Sequence, residues 1–236
     1  MLYIFGDSYS MPLGEQISSS TFHSDPVNIT RDTCWIDLVA KGLGEKSATI
    51  YAMMGVSNEW ILKSILDQLS NIKDGDTVII QSTDPARHWF FKDPSFGNIT
   101  RILNAPWTPD EDKAIKYYLK YLQNENLDNI LYNAFTMSLL YIAEKTKHAQ
   151  IVMLPAWIGL PGIIGTLCDD ISNNEFDNDK TLSDFYIKYR YDPRVNHMSA
   201  VNHHILADKI LNFLKNRTTI DLTTGFESNI YNKSNI

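Results

Sequence analysis

Short apolar runs, each followed by turn residues and then by a segment of helical period, constrain this chain more than any other feature. The runs are Leu2-Tyr3-Ile4-Phe5, Ala48 to Ala52, Thr77 to Gln81 and Ile151 to Leu154. Their β-branched and aromatic side chains fit a pleated surface, and an unbroken apolar run marks a strand covered on both faces. Alternation of such strands with helices implies a parallel sheet between two helical layers. The predicted fold is a three-layer α/β/α sandwich built on a flavodoxin-like parallel sheet of about five strands. Any reactive groups are expected at the C-terminal ends of those strands.

Between the strands, residues 33–44 read as a helix ended by Gly42 and Gly44. From Asn58 to Ile72, Trp60, Ile61, Ile65, Leu66 and Leu69 recur at helical spacing and predict a core-facing stripe. Lys73-Asp74-Gly75-Asp76 makes a turn, and Thr108-Pro109-Asp110-Glu111 starts the first of two helices, over 110–124 and 127–147. A last helix is expected over 199–216, after a loop with a short helix over 158–190. With 236 residues, 44% of them hydrophobic, the chain suffices for one sizeable core. One domain over 1–217 is expected, with an insertion around 85–130 and a polar tail over 218–236.

Charge and composition narrow the function classes. A net charge of −7 offers no broad basic surface for phosphates, so nucleic acid is not an expected partner, although Arg87, His88 and Lys92 lie close together. No apolar run approaches the roughly 20 residues that span a bilayer, and no basic and apolar leader precedes the first strand. A cytoplasmic location, or association with a phage or other particle, is therefore expected, with no membrane partner. Cys34 and Cys168 form neither a Cys-x-x-Cys pair nor a ligand cluster, and His197, His203 and His204 lack the i, i+4 spacing of helical zinc ligands. No metal is expected.

The first strand runs into Gly6-Asp7-Ser8-Tyr9-Ser10, which puts Ser8 at a strand end, and Asp7 is expected to fix that turn by hydrogen bonds to nearby amides. Far along the chain, His197 precedes the last helix. A serine hydroxyl becomes a good nucleophile only when a base takes its proton, and imidazole titrates near neutral pH, so the two ends together point to nucleophilic hydrolysis. Gly6-Asp7-Ser8, the isolated Gly55 in Met53-Met54-Gly55-Val56-Ser57-Asn58, and the His197 segment together resemble the SGNH (GDSL-type) hydrolases over roughly residues 1 to 215. The resemblance implies that Ser8 is the nucleophile, that the amides of Ser8 and Gly55 form an oxyanion hole, and that His197 is the base. No cofactor is implied, and the substrate class is a small ester or an acylated carbohydrate.

Two positions depart from the family pattern. Arg194 stands where the family has an aspartate three residues before the histidine, and the nearest carboxylate on that side is Asp192. Where the family shows Gly-x-Asn-Asp, this chain reads Gln81-Ser82-Thr83-Asp84, which assigns the third oxyanion-hole position to Thr83. Asn58 is a candidate substrate-binding donor or a turn-fixing group. Arg87 is a candidate for holding a substrate carboxylate or phosphate, or for bracing Asp84. The aromatics from Trp89 to Trp107 either line a cleft or pack under a loop. Beside the esterase stands a second reading, a catalytically idle module that binds a glycan or protein partner. A structural protein of an assembly is a third, and the oligomeric state is open.

Overall fold

The structure, a computed structural model, describes residues 1–11, 34–53, 56–83, 85, 87–88, 108–121, 125–146, 149–154, 200–217 and 225–226, without the side chains of Ser8, Glu111, Leu119, Glu125, Ala200 and Val201. Among them, four strands form one sheet: β1 (Leu2–Gly6), β2 (Ala48–Ala52), β3 (Thr77–Gln81) and β4 (Gln150–Leu154). The sheet order is β2-β1-β3-β4 and every pairing is parallel. Tyr3 sits opposite both Thr49 and Val78, and Ile79 opposite Val152. This is the flavodoxin-like arrangement, with four described strands where the sequence led us to expect about five.

Helices cover both faces because the strand side chains alternate. Leu2 and Ile4 of β1 join Ile79, Val152 and Leu154 on one face, against Trp35 and Val39 of α1 (Trp35–Gly42) and Leu206, Ile210 and Leu214 of α5 (Ala200–Asn216). Tyr3 and Phe5 join Val78 and Ile80 on the other. There they meet Ile61 and Ile65 of α2 (Asn58–Gln68) and Phe135, Leu139 and Ile142 of α4 (Glu125–Lys145). One further helix, α3 (Pro109–Tyr121), precedes α4 and buries Ile115. No helix among the described residues is long and apolar enough to cross a membrane.

Several expectations shift at the helix ends. Helix α2 stops at Gln68 rather than near Ile72, and Leu66, placed by spacing on the core stripe, is 47% exposed. The stripe is centred on Ile61 and Ile65, and one residue further along is about 100° around the helix, off the buried face. Gly44 adopts a φ of +76°, the left-handed conformation that ends α1. Gly42 has a different reason to be small, since a Cβ there would lie 2.4 Å from Leu211 Cδ1 of α5. From the tail, Phe226 packs on the α1/α5 core, with Lys209 Nζ 5.0 Å above its ring. The loop expected over 158–190 and the aromatic stretch from Trp89 to Trp107 lie outside the described residues.

Gly6 ends β1 without a positive φ, so the turn does not need glycine for its backbone angle. It needs glycine for space. A Cβ at Gly6 would lie 2.5 Å from Ser10 Oγ and 3.1 Å from Gln81 Cβ. The Ser10 hydroxyl donates to Gln81 Oε1 across that same gap and ties the turn to β3. Gly6→Ala is therefore expected to push Ser10 off Gln81 and to destabilise the protein by about 1–3 kcal/mol, the usual range for overpacking. Chemical denaturation checks this, and an unchanged midpoint would mean that the turn moves away freely.

Candidate functional site

In a sheet of this order the connections leave β1 and β3 in opposite directions, which opens a crevice beyond their C-terminal ends. The residues that follow these two strands meet there. After β1 the chain enters a short 3-10 turn, Ser8–Ser10. Asp7, fully buried, holds that turn: its Oδ1 accepts the Tyr9 amide at 3.0 Å, as its place in the sequence predicts. The Asp7 carbonyl accepts the Ser10 amide at 3.0 Å, and the Trp35 indole donates to the Tyr9 carbonyl at 3.0 Å, which anchors α1 to the turn. Cys34 is the N-cap of α1, where its side chain accepts no helix amide, and the Trp35 amide donates to His203 Nδ1 of α5 at 3.2 Å.

The other carboxylate oxygen of Asp7 faces β3. Oδ2 accepts the Thr83 hydroxyl at 2.8 Å and Arg87 Nη1 at 2.8 Å, and the same Nη1 donates to Thr83 Oγ1 at 2.5 Å. Three groups, each bonded to the other two, thus bridge the crevice. Asn58, the first residue of α2, grips the same point from a third element. Its Nδ2 donates to the Thr83 carbonyl at 3.0 Å, and its Oδ1 accepts the Thr83 amide at 2.9 Å. Ser57 caps α2 by accepting the Trp60 amide.

Of the residues singled out from the sequence, Thr83, Asn58, Arg87 and the backbone of Ser8 converge on this crevice. The hydroxyl proton of Thr83 is directed at Asp7, and both ends of the Asn58 carboxamide hold Thr83 backbone. Arg87 pairs with Asp7, 80 residues away in the chain. The Ser8 side chain, Gly55, Asp84, Asp192 and His197 lie outside what the structure describes. Among the described residues, no group of three or more His, Cys, Asp or Glu side chains is placed to hold a metal ion.

Next to Arg87 lies a cluster that the sequence reading did not find. The buried His88 ring meets Glu59 Oε1 of α2 through Nδ1 at 3.4 Å, and Asp128 Oδ1 of α4 through Nε2 at 2.9 Å. Its ring lies 5.6 Å from that of Tyr118 on α3. Burial alone would push the imidazole pKa down, but hydrogen bonds to Glu59 and Asp128 and their charges outweigh it, so His88 titrates above its ordinary value. Burial, together with the Asp128 and Glu59 charges, pushes the Tyr118 phenol up to about 12. The partners are 29 and 40 residues from His88, and no local spacing in the sequence signals them.

No protein-family model matches this chain, and no curated protein matches it. Solved structures do. A G-D-S-L family lipolytic protein from Desulfitobacterium hafniense DCB-2 aligns with a TM-score of 0.37 and 12% identity over 89% of this chain and 97% of that one. The lipase/acylhydrolase from Enterococcus faecalis aligns with a TM-score of 0.32 and 13% identity over 93% of this chain and 97% of that one. Likenesses this faint carry no argument of their own, and the functional reading rests on this chain's residues.

Two outcomes test the site's construction. Because Asp7 is buried with Arg87 as its counter-ion, Arg87→Met is expected to destabilise the protein by about 3–5 kcal/mol, as breaking a buried pair does. The double variant Asp7→Asn/Arg87→Met should recover part of that loss, read from urea denaturation as a double-mutant cycle. For His88, a folded-state pKa above the unfolded one means that its contribution is complete below about pH 6.5 and fades as pH rises through the raised value. Denaturation midpoints should therefore fall with rising pH across that window, and His88→Gln should flatten the fall.

Proposed function

We propose that this protein is a serine acyl hydrolase of the SGNH type. Ser8 Oγ attacks the carbonyl carbon of an ester while His197 takes its proton, and the developing oxyanion is received by the amides of Ser8 and Gly55. Collapse of the tetrahedral intermediate breaks the ester bond, and His197 returns the proton to the departing alcohol. Water, deprotonated by His197, then attacks the acyl-enzyme and releases the acid. Asp192 is the carboxylate proposed to orient the imidazole, the function served by the acid of a catalytic triad. A small ester, with acetate on a carbohydrate as the first to try, is the proposed substrate.

One observation supports this reading above the others. The Gly6-Asp7-Ser8 turn sits at the switch point of the sheet, and a fully buried carboxylate fixes the amide just after the serine. An oxyanion hole built from backbone amides works through preorganisation, and Asp7 supplies that rigidity. Thr83 and Asn58 enter the mechanism as positioning groups: Thr83 gives its hydroxyl proton to Asp7, and Asn58 holds Thr83. Fewer side-chain donors then face the substrate, and Arg194 stands at the family's acid position. Both facts favour the second reading, an idle module that binds a glycan or protein.

Fluorophosphonate labelling, read by mass spectrometry of the intact protein, separates the two. The esterase reading expects one adduct on Ser8, absent in Ser8→Ala and strongly slowed in His197→Ala. Ester hydrolysis in either variant should fall by at least about a thousandfold. Folded protein that takes no label would favour the binding module.

A further inference from the structure

The first turn of α2 holds the chain beyond β3 at two points. Asn58 grips the amide and carbonyl of Thr83, and the next residue, Glu59, meets His88 Nδ1 at 3.4 Å. Asp128 of α4 closes the far side of the ring, 2.9 Å from Nε2. Between the two holds, Arg87 reaches across to Asp7 and Thr83. Arg87 and His88 are neighbours in the chain, so where His88 is clamped decides how the guanidinium meets Asp7.

Only one of the two holds needs a proton. Asn58 carries a donor and an acceptor at every pH, whereas a neutral imidazole has one N–H and one lone pair. A carboxylate only accepts, so two of them on one ring are satisfied together only by the imidazolium, which donates from both nitrogens. Burial alone would raise the Glu59 pKa, but hydrogen bonds from His88, Ser57 and its own amide, with the His88 charge, bring it below its ordinary value, and Glu59 is an anion at neutral pH. The other groups around the ring leave this demand in place. Tyr118 of α3, pushed up to about 12 by burial and the two carboxylates, is a neutral phenol through the neutral and mildly alkaline range, and Arg87 is paired with Asp7. When the ring loses one proton, the shorter bond to Asp128 keeps its N–H and Nδ1 turns a lone pair on Glu59. Screening by water is weak for a buried ring, so that repulsion is felt in full.

We propose that His88 is a positioning residue: clamped as an imidazolium between Glu59 and Asp128, it fixes the segment that presents Arg87 to Asp7, and loss of its proton loosens Arg87 and the turn that carries Ser8. It acts through Arg87 rather than on a reacting atom. The catalytic consequence rests on the proposed ester hydrolysis, which needs His197 neutral and, through this coupling, His88 charged. The rate then rises with pH through the titration of His197 and falls again as His88 loses its proton, above the ordinary imidazole value of about 6.5.

Hydrogen exchange of the full chain, followed by NMR between about pH 6 and about pH 9, tests the coupling without requiring turnover. The Tyr9 amide donates to Asp7 and reports on the turn, and the His88 ring protons report the titration. Protection of Tyr9, taken relative to the amides of β1 and β3, is expected to fall on the order of tenfold with the same midpoint as His88, the weight of one hydrogen bond. In Glu59→Gln both midpoints should move down together, and in His88→Gln the relative protection should be low at every pH. The wild-type comparison decides if either variant fails to fold. A Tyr9 amide that keeps its relative protection while His88 titrates overturns the proposal, as does a His88 ring that keeps its proton to the end of the range. The rate of fluorophosphonate labelling at Ser8 reads the catalytic consequence. It should rise and then fall with pH in the wild type, and in His88→Gln lose the alkaline fall and peak about ten- to a hundredfold lower. Labelling without the alkaline fall sinks the positioning role and spares the esterase; no labelling at any pH sinks the esterase, and the Tyr9 exchange still decides the coupling.

Discussion

The burial of the Asp7 carboxylate is the constraint on which the rest of the site depends. A charge taken fully out of water is tolerable only if nearly every lone pair is met, and here the Tyr9 amide, the Thr83 hydroxyl and the Arg87 guanidinium meet it. Those partners come from three places: the turn after β1, the end of β3, and the segment beyond it. Satisfying one side chain therefore fixes the relation of two adjacent strand ends, which is the relation a crevice at the switch point needs. Asn58 extends the constraint to α2, and the Trp35 indole on the Tyr9 carbonyl extends it to α1. Both helical layers are thus indexed to the same turn, one from each face of the sheet.

That arrangement explains why the fold was far more legible in the sequence than the site. Strand positions follow from composition over a few residues: Thr77 to Gln81 was readable to the residue because a buried parallel strand leaves an unbroken apolar run. The layer assignment follows from the same period-two alternation, which sends Leu2 and Ile4 to one face and Tyr3 and Phe5 to the other. Helix ends were less legible, because the core decides which turns are worth burying; Leu66 has the right residue type and the wrong angle.

The site was legible only where its logic is local. Asp7 could be assigned to its turn because the amide it accepts is two residues away. Arg87 could not be assigned to Asp7, since the sequence offers Asp84 nearer at hand, and a flavodoxin-like strand order, which sets β1 beside β3, does not say which carboxylate the guanidinium reaches. Nor is the reason for Gly6 a local one. The turn needs room for Ser10 and Gln81, and Gln81 lies on another strand. The His88 cluster joins α2, the segment after β3, α3 and α4, and a pattern confined to any one of them carries no trace of it.

Arg87 and His88 show how two adjacent residues divide a boundary. The arginine side chain turns toward the sheet end and neutralises Asp7; the histidine turns between α2 and α4 and joins Glu59 to Asp128. Between them the segment is pinned on both sides, so the space enclosed by α2, α4 and Arg87 has walls fixed by charge pairs rather than by apolar contact alone. The net charge of −7 along the chain has a local counterpart here: in the described part of this segment Arg87 meets one carboxylate, Asp7, while His88 meets two, Glu59 and Asp128, so that even with the imidazole protonated the carboxylates outnumber the cations by one.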